Sequence, residues 1–126
     1  MTTFLFSSEI PGEAAFQARV PAGITTKAGL MNVLFEALRL PDYFGSNWDS
    51  LEECIRDLSW LPDGDVVLVH EDVPLENDRR SLATYLSILR DAVEKWAATK
   101  ERKLWVLFPP GTEILAQGAA PGPFTN

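Results

Sequence analysis

Two uninterrupted apolar runs, separated by a long amphipathic segment, constrain the fold of this chain more than any other feature. Val66-Val67-Leu68-Val69 follows the turn Pro62-Asp63-Gly64, and Leu104-Trp105-Val106-Leu107-Phe108 is stopped by Pro109-Pro110. Continuous apolar runs of this length suit strands covered on both faces, as in a parallel sheet. Between them, roughly from Asp78 to Thr99, Leu82, Tyr85, Leu86, Leu89, Val93 and Trp96 recur at the i, i+3, i+4 spacing of a helix with one apolar stripe. Strand, helix and strand in that order make a βαβ crossover, which joins parallel strands. The expected class is therefore α/β, with a small, mostly parallel sheet of three to four strands and helices packed on it.

The remaining elements fit around this unit. Phe4–Phe6 reads as a short strand, and the following Ser7–Glu13 contains Pro11 and Gly12 and reads as a turn. Phe16–Val20 alternates apolar and polar, the pattern of a half-exposed strand. Thr25 or Thr26 can cap a helix reaching about Leu38, although Gly29 is a poor helix former in its first turn. Leu40-Pro41-Asp42-Tyr43-Phe44-Gly45 breaks the pattern as a turn. Ser46 or Asn47 then caps a second helix, expected to run to Leu58 or Ser59. One domain over residues 1–110 is expected. Residues 111–126, rich in Gly, Ala and Pro, are expected to form a flexible tail.

Charge and cysteine content narrow the function. The formal net charge is −7 over 126 residues. Binding nucleic acid directly takes a basic surface, so that partner is not expected, whereas a basic protein partner is favoured. The single cysteine, Cys54, excludes an internal disulfide and suits a reducing compartment. The N-terminus MTTFLFSSEI lacks the basic and apolar regions of a signal peptide, and no apolar run approaches a membrane span. A cytoplasmic protein, monomeric when free, without membrane association, is the expectation.

The segment Tyr43–Trp60, YFGSNWDSLEECIRDLSW, is the most informative. At about 100° per residue, Trp48, Leu51, Cys54, Ile55 and Leu58 share one helix face. Asp49, Glu52, Glu53, Arg56 and Asp57 share the opposite face. The first set is a core stripe. The second is a ridge of four carboxylates and one guanidinium that can enter a groove lined with Arg, Lys and His and mimic phosphates. An ordinary solvated face reads similarly: Asp49 suits the helix N-terminus and Glu52–Arg56 is an i, i+4 pair. Asp57, near the helix C-terminus, is unfavourable for the helix dipole and is not explained by helix stability.

This segment resembles the signature of the barstar family. The shared order is a leucine-rich helix, then Leu-Pro-Asp-Tyr-Phe-Gly, then Asn-Trp-Asp-Ser-Leu-Glu-Glu-Cys-Ile. The resemblance covers about Phe16 to Phe108, and the Tyr43–Ile55 block is its specific part. It implies an intracellular inhibitor of a basic ribonuclease, an immunity-type protein without catalysis. It also implies that Glu53, the acid before the helix cysteine, enters the nuclease active site at a phosphate position. Asp49 and Tyr43 would also touch the enzyme, Asn47 holds the family's cap position, and Asp91 in Arg90-Asp91-Ala92 is a further acid in an Arg-acid-Ala step. With Glu52 and Asp57 from the exposed ridge, the expected partner-binding set is Tyr43, Asn47, Asp49, Glu52, Glu53, Asp57 and Asp91. The family inhibitor carries a contacting Trp where this chain has Glu52, a Gly-Trp step where it has Asp57-Leu58, and a shorter Asp in place of Glu53. These departures point to a different cognate enzyme, or to another basic protein as target.

No cofactor or metal is expected, because clustered ligands are missing from the sequence. His70, the only histidine, follows the central apolar run without a second ligand or nucleophile nearby and reads as structural or surface. Cys54 lies on the core stripe and reads as a buried thiol. Glu52 and Glu53 diverge by about 100° and do not form an acid–base dyad. Glu71 and Asp72, after the central strand, are the one hint of an enzyme, and they lack a partner base.

Overall fold

The computed structural model describes residues 4–10, 12 and 14–113. Residues 114–126, most of the expected tail, lie outside that range. In chain order the elements are β1 (Leu5–Phe6), β2 (Phe16–Val20), α1 (Lys27–Ala37), α2 (Trp48–Ile55), β3 (Val66–His70), α3 (Arg79–Ala97) and β4 (Leu104–Phe108). The strands form one sheet in the order β1-β4-β3-β2. Every pairing is parallel, with Phe16 opposite Val66, Val66 opposite Leu104 and Leu5 opposite Leu107. The protein is α/β with a four-stranded parallel sheet.

Alternation along the strands divides the interior in two. Val66, Leu68, Leu104, Val106, Phe108, Ala18 and Val20 point to the face that meets the helices. Leu30, Leu34, Leu51, Ile55, Leu82, Tyr85, Leu86, Leu89 and Trp96 supply the helical half of that core. The opposite face is a smaller cluster of Val67, Val69 and Leu107. Among the described residues no helix packs on it; Ile10 and Ala14 of the β1–β2 connection do, together with Leu5 and Trp105. The continuous apolar runs are thus covered on both faces, by helices on one side and by a connecting segment on the other.

Local chemistry fixes the helix ends. Thr26 caps α1 by accepting from the Gly29 amide at 3.0 Å, and Asp78 caps α3 by accepting from Ser81 at 3.2 Å. That cap holds the Asp78 carboxyl below its usual pKa. At the far end of α1, the Trp60 indole donates to the Leu38 carbonyl at 2.9 Å. A helix leaves its last carbonyls without partners inside itself, and this side chain satisfies one of them. Gly64 turns the chain into β3 with φ +115, and a Cβ there would lie 2.8 Å from Ala15 Cβ. Only glycine meets both demands.

Two expectations need correction. The first strand covers Leu5–Phe6 and not Phe4. The second helix ends at Ile55, not at Leu58 or Ser59. Leu58 adopts φ +49 and is fully buried, so the chain leaves the helix in a left-handed step that turns its side chain into the core. Among the described residues no helix is long and apolar enough to cross a membrane.

Candidate functional site

α2 is short, at eight residues, and its N-terminus is held by an interlocked loop. Asn47 Oδ1 accepts from the Ser50 amide at 2.8 Å, and its Nδ2 donates to the Gly45 carbonyl at 3.2 Å. Ser50 Oγ accepts from the Gly45 amide at 2.8 Å, closing the ring of bonds. Left-handed residues stand at both ends of this helix, Ser46 at φ +55 and Leu58 at φ +49. Such a conformation costs a non-glycine residue about 1–2 kcal/mol. The packing of Leu51, Cys54, Ile55 and Leu58, each almost fully buried, offsets that cost.

Looking down α2, the exposed side chains follow the order Glu52, Arg56, Asp49, Glu53, Asp57, which sorts them into two groups. Asp49 and Glu52 line a groove of about 340 Å³ between α2 and α3, with Asp91, Thr84, Ser87 and Trp48 as the other walls. Glu53 and Asp57 turn the other way, toward the loop that carries Tyr43. The Tyr43 hydroxyl donates to Asp57 Oδ2 at 3.5 Å, and its ring is 68% exposed, the one large exposed apolar side chain among the described residues. Desolvation, followed by electrostatic coupling to Cys54 and the negative charges of Asp57 and Glu53, raises the Tyr43 phenol above its usual pKa. The same two carboxylates, after burial itself, push the Cys54 thiol up, so it stays protonated and inert.

The expected residues therefore fall into three places. Tyr43, Glu53 and Asp57 form one exposed cluster, and Asp49, Glu52 and Asp91 come together across the α2–α3 groove. Asn47 is exposed, and its side chain bonds to the backbone of its own loop as the cap of α2. Glu52 also reaches Arg56 at 3.8 Å, both about half exposed, so this pair is worth little. Among the described residues there is no group of His, Cys, Asp and Glu arranged to hold a metal ion. Glu71 and Asp72 are occupied with structure: they accept from the amides of Ala22 and Gly23, and Glu71 also lies 3.6 Å from Arg19.

A family model for barstar, described as barnase inhibitor, matches residues 17–109. The chain belongs to the barstar family. The matched span runs from β2 to just past β4 and contains the whole of α2 and the groove beside it. At family level, a barstar-type protein is an inhibitor of barnase-type ribonucleases, acts through a protein partner and is not an enzyme. No curated protein matches this chain.

The geometry also brings in groups that the sequence pattern missed. Thr84 and Ser87 lie on the polar side of α3, where they read as ordinary surface, yet they line the acidic groove. Lys95 and Trp96 of α3 donate to the last carbonyls of α2, at 2.8 Å to Arg56 and 3.0 Å to Ile55. The apolar period placed Trp96 in the core, but nothing in that period indicates which backbone its indole would meet.

Proposed function

We propose that this protein inhibits a basic ribonuclease by seating the exposed face of α2 and the Tyr43 loop in the nuclease cleft, with Glu53 in place of a substrate phosphate. The observation that carries this reading is the cluster of Tyr43, Glu53 and Asp57. It sets an exposed aromatic ring beside two carboxylates on a short helix capped at both ends. Nuclease clefts concentrate positive charge to stabilise phosphates, so a fixed carboxylate competes for the same donors. A rigid presentation lowers the entropy lost on docking. The net charge of −7 speeds encounter with a basic partner at low salt. In this reading the protein works in the cytoplasm, is monomeric when free, touches no nucleic acid and needs no cofactor.

One feature favours a second target. Glu52 and Asp57 replace aromatic and small residues that contact the enzyme in the family inhibitor, and aromatic anchors often dominate interface energy. A basic protein other than a ribonuclease would meet the same acidic face. The test is inhibition of a panel of basic microbial ribonucleases by wild type, Glu53→Ala and Asp49→Ala. Inhibition by the wild type that Glu53→Ala weakens by at least about tenfold is the expected result. If no ribonuclease in the panel is inhibited, the target is a different basic protein.

A further inference from the structure

The acids of α2 are badly placed for α2 itself. Glu52 and Glu53 lie in its last turn and Asp57 just beyond its cap, where the helix dipole is negative, and the last turn holds no basic residue. Arg56 bends back toward Glu52 at 3.8 Å. The compensating charge comes from another helix. Lys95 of α3 donates from Nζ to the Arg56 carbonyl at 2.8 Å, and the next residue, Trp96, donates from Nε1 to the Ile55 carbonyl at 3.0 Å. The Lys95 ammonium also stands 3.5 Å from the centre of the Trp96 ring. Two adjacent residues of α3 thus satisfy two adjacent carbonyls at the end of α2, and the cation is locked over the indole that shares the task. Among the described residues Lys95 makes no ion pair with a carboxylate, so its charge is directed at the helix end.

We infer that Lys95 is a positioning residue for the inhibitory face: its ammonium anchors the final turn of α2, and so fixes how Glu53 and Asp57 are presented to the partner. This rests on the ribonuclease-inhibitor reading. Lys95 lines the same hollow as Asp57, and its ammonium is committed to the Arg56 carbonyl and the Trp96 ring, so its role is to hold the acids rather than to meet the partner. Removing its charge makes the protein more negative. An effect through charge alone would therefore speed association with a basic enzyme, whereas loss of positioning speeds dissociation.

The experiment compares wild type, Lys95→Met and Lys95→Arg in association and dissociation rates with barnase. Lys95→Met keeps the side-chain stem, the Trp96 bond and the core face of α3, and it should fold. Its dissociation should quicken by roughly tenfold, with association unchanged or faster. Lys95→Arg retains the charge and donors and should recover most of the loss. Dissociation of Lys95→Met within about twofold of wild type, or an equal loss in Lys95→Arg, overturns the inference. If wild type does not bind barnase, it is the ribonuclease reading for this enzyme that fails. Lys95 is then decided on the free protein by amide hydrogen exchange at Asp57 and Leu58, both of which donate to the Cys54 carbonyl. Exchange roughly tenfold faster in Lys95→Met, restored in Lys95→Arg, supports it, and unchanged exchange overturns it.

Discussion

The two tyrosines of this protein each put a hydroxyl on a titratable partner, in opposite surroundings. Tyr85 is fully buried and its hydroxyl lies 2.7 Å from His70 Nε2. Tyr43 is 68% exposed and its hydroxyl lies 3.5 Å from Asp57. In the interior, His70 Nδ1 faces the Leu107 carbonyl at 3.0 Å, which can only accept, so Nδ1 carries the proton. Nε2 must then accept from Tyr85. The imidazole also stacks on Phe108 at 4.2 Å, and burial of the ring disfavours its charged form. Every polar atom of this group is committed, and in a low-dielectric interior such a network contributes to stability and to a single arrangement of the core. On the surface, the Tyr43–Asp57 bond is long and open to water, so it contributes little to the fold and leaves the ring and the carboxylate free for a partner. A tyrosine hydroxyl on a titratable partner thus belongs to the core in one place and stays open to solvent in the other, and burial makes the difference.

The largest break in this contrast should come from acid. Burial lowers the His70 pKa from 6.5 to about 4, outweighing its bond to the Leu107 carbonyl. A group whose folded pKa is depressed as a base takes up a proton more readily in the unfolded chain. Its contribution is therefore complete above pH 6.5 and is lost as pH falls toward 4, a loss of about 3 kcal/mol. Urea unfolding between pH 7 and pH 4 measures it, and proton NMR of the only histidine reports its titration without overlap. A histidine that titrates near 6.5 in the folded protein removes the argument. Next in size is Tyr85→Phe, which strips the donor from a buried Nε2 and should destabilise the fold by about 1–3 kcal/mol in urea unfolding. Inhibition per folded molecule should not change. The smallest effect is expected for Tyr43→Phe: stability should stay within about 0.5 kcal/mol of wild type, as for a surface substitution. A larger change there would mean that the exposed pair carries structure as well.

Much of this architecture was legible because it rests on pattern. The apolar runs at 66–69 and 104–108 and the period from Leu82 to Trp96 specify parallel strands and a crossover helix, whatever the details. Asn47 was legible as a cap because capping needs only a short polar side chain at a fixed offset. What covers Val67, Val69 and Leu107 was not legible, since a continuous apolar strand looks the same under a helix or under the connecting segment that carries Ile10 and Ala14. The end of α2 was missed because Leu58 continues the helical period while its backbone is left-handed, and period alone does not distinguish the two. For the candidate site, the acids of α2 and their division from the core stripe were visible in the spacing. Their separation into a Tyr43 cluster and a groove shared with Asp91 depends on where α3 lies, which is set by tertiary packing. Tyr85 was read as a core apolar residue, and its bond to His70 joins positions that no local pattern connects.

The parallel sheet also has a kinetic consequence. Phe16 pairs with Val66 and Leu5 with Leu107, so no strand is joined to its neighbour by a tight turn. Pairings of this kind require closure of long loops before they return any energy, and they slow folding relative to hairpin-rich or helical proteins of the same size. α2 lies inside the loop closed by β2 and β3, and its final carbonyls are bonded by residues of α3. A newly made chain therefore completes the last turn of α2 late, after distant strands have met, and the acids at that end reach their final placement only once the sheet and α3 have come together.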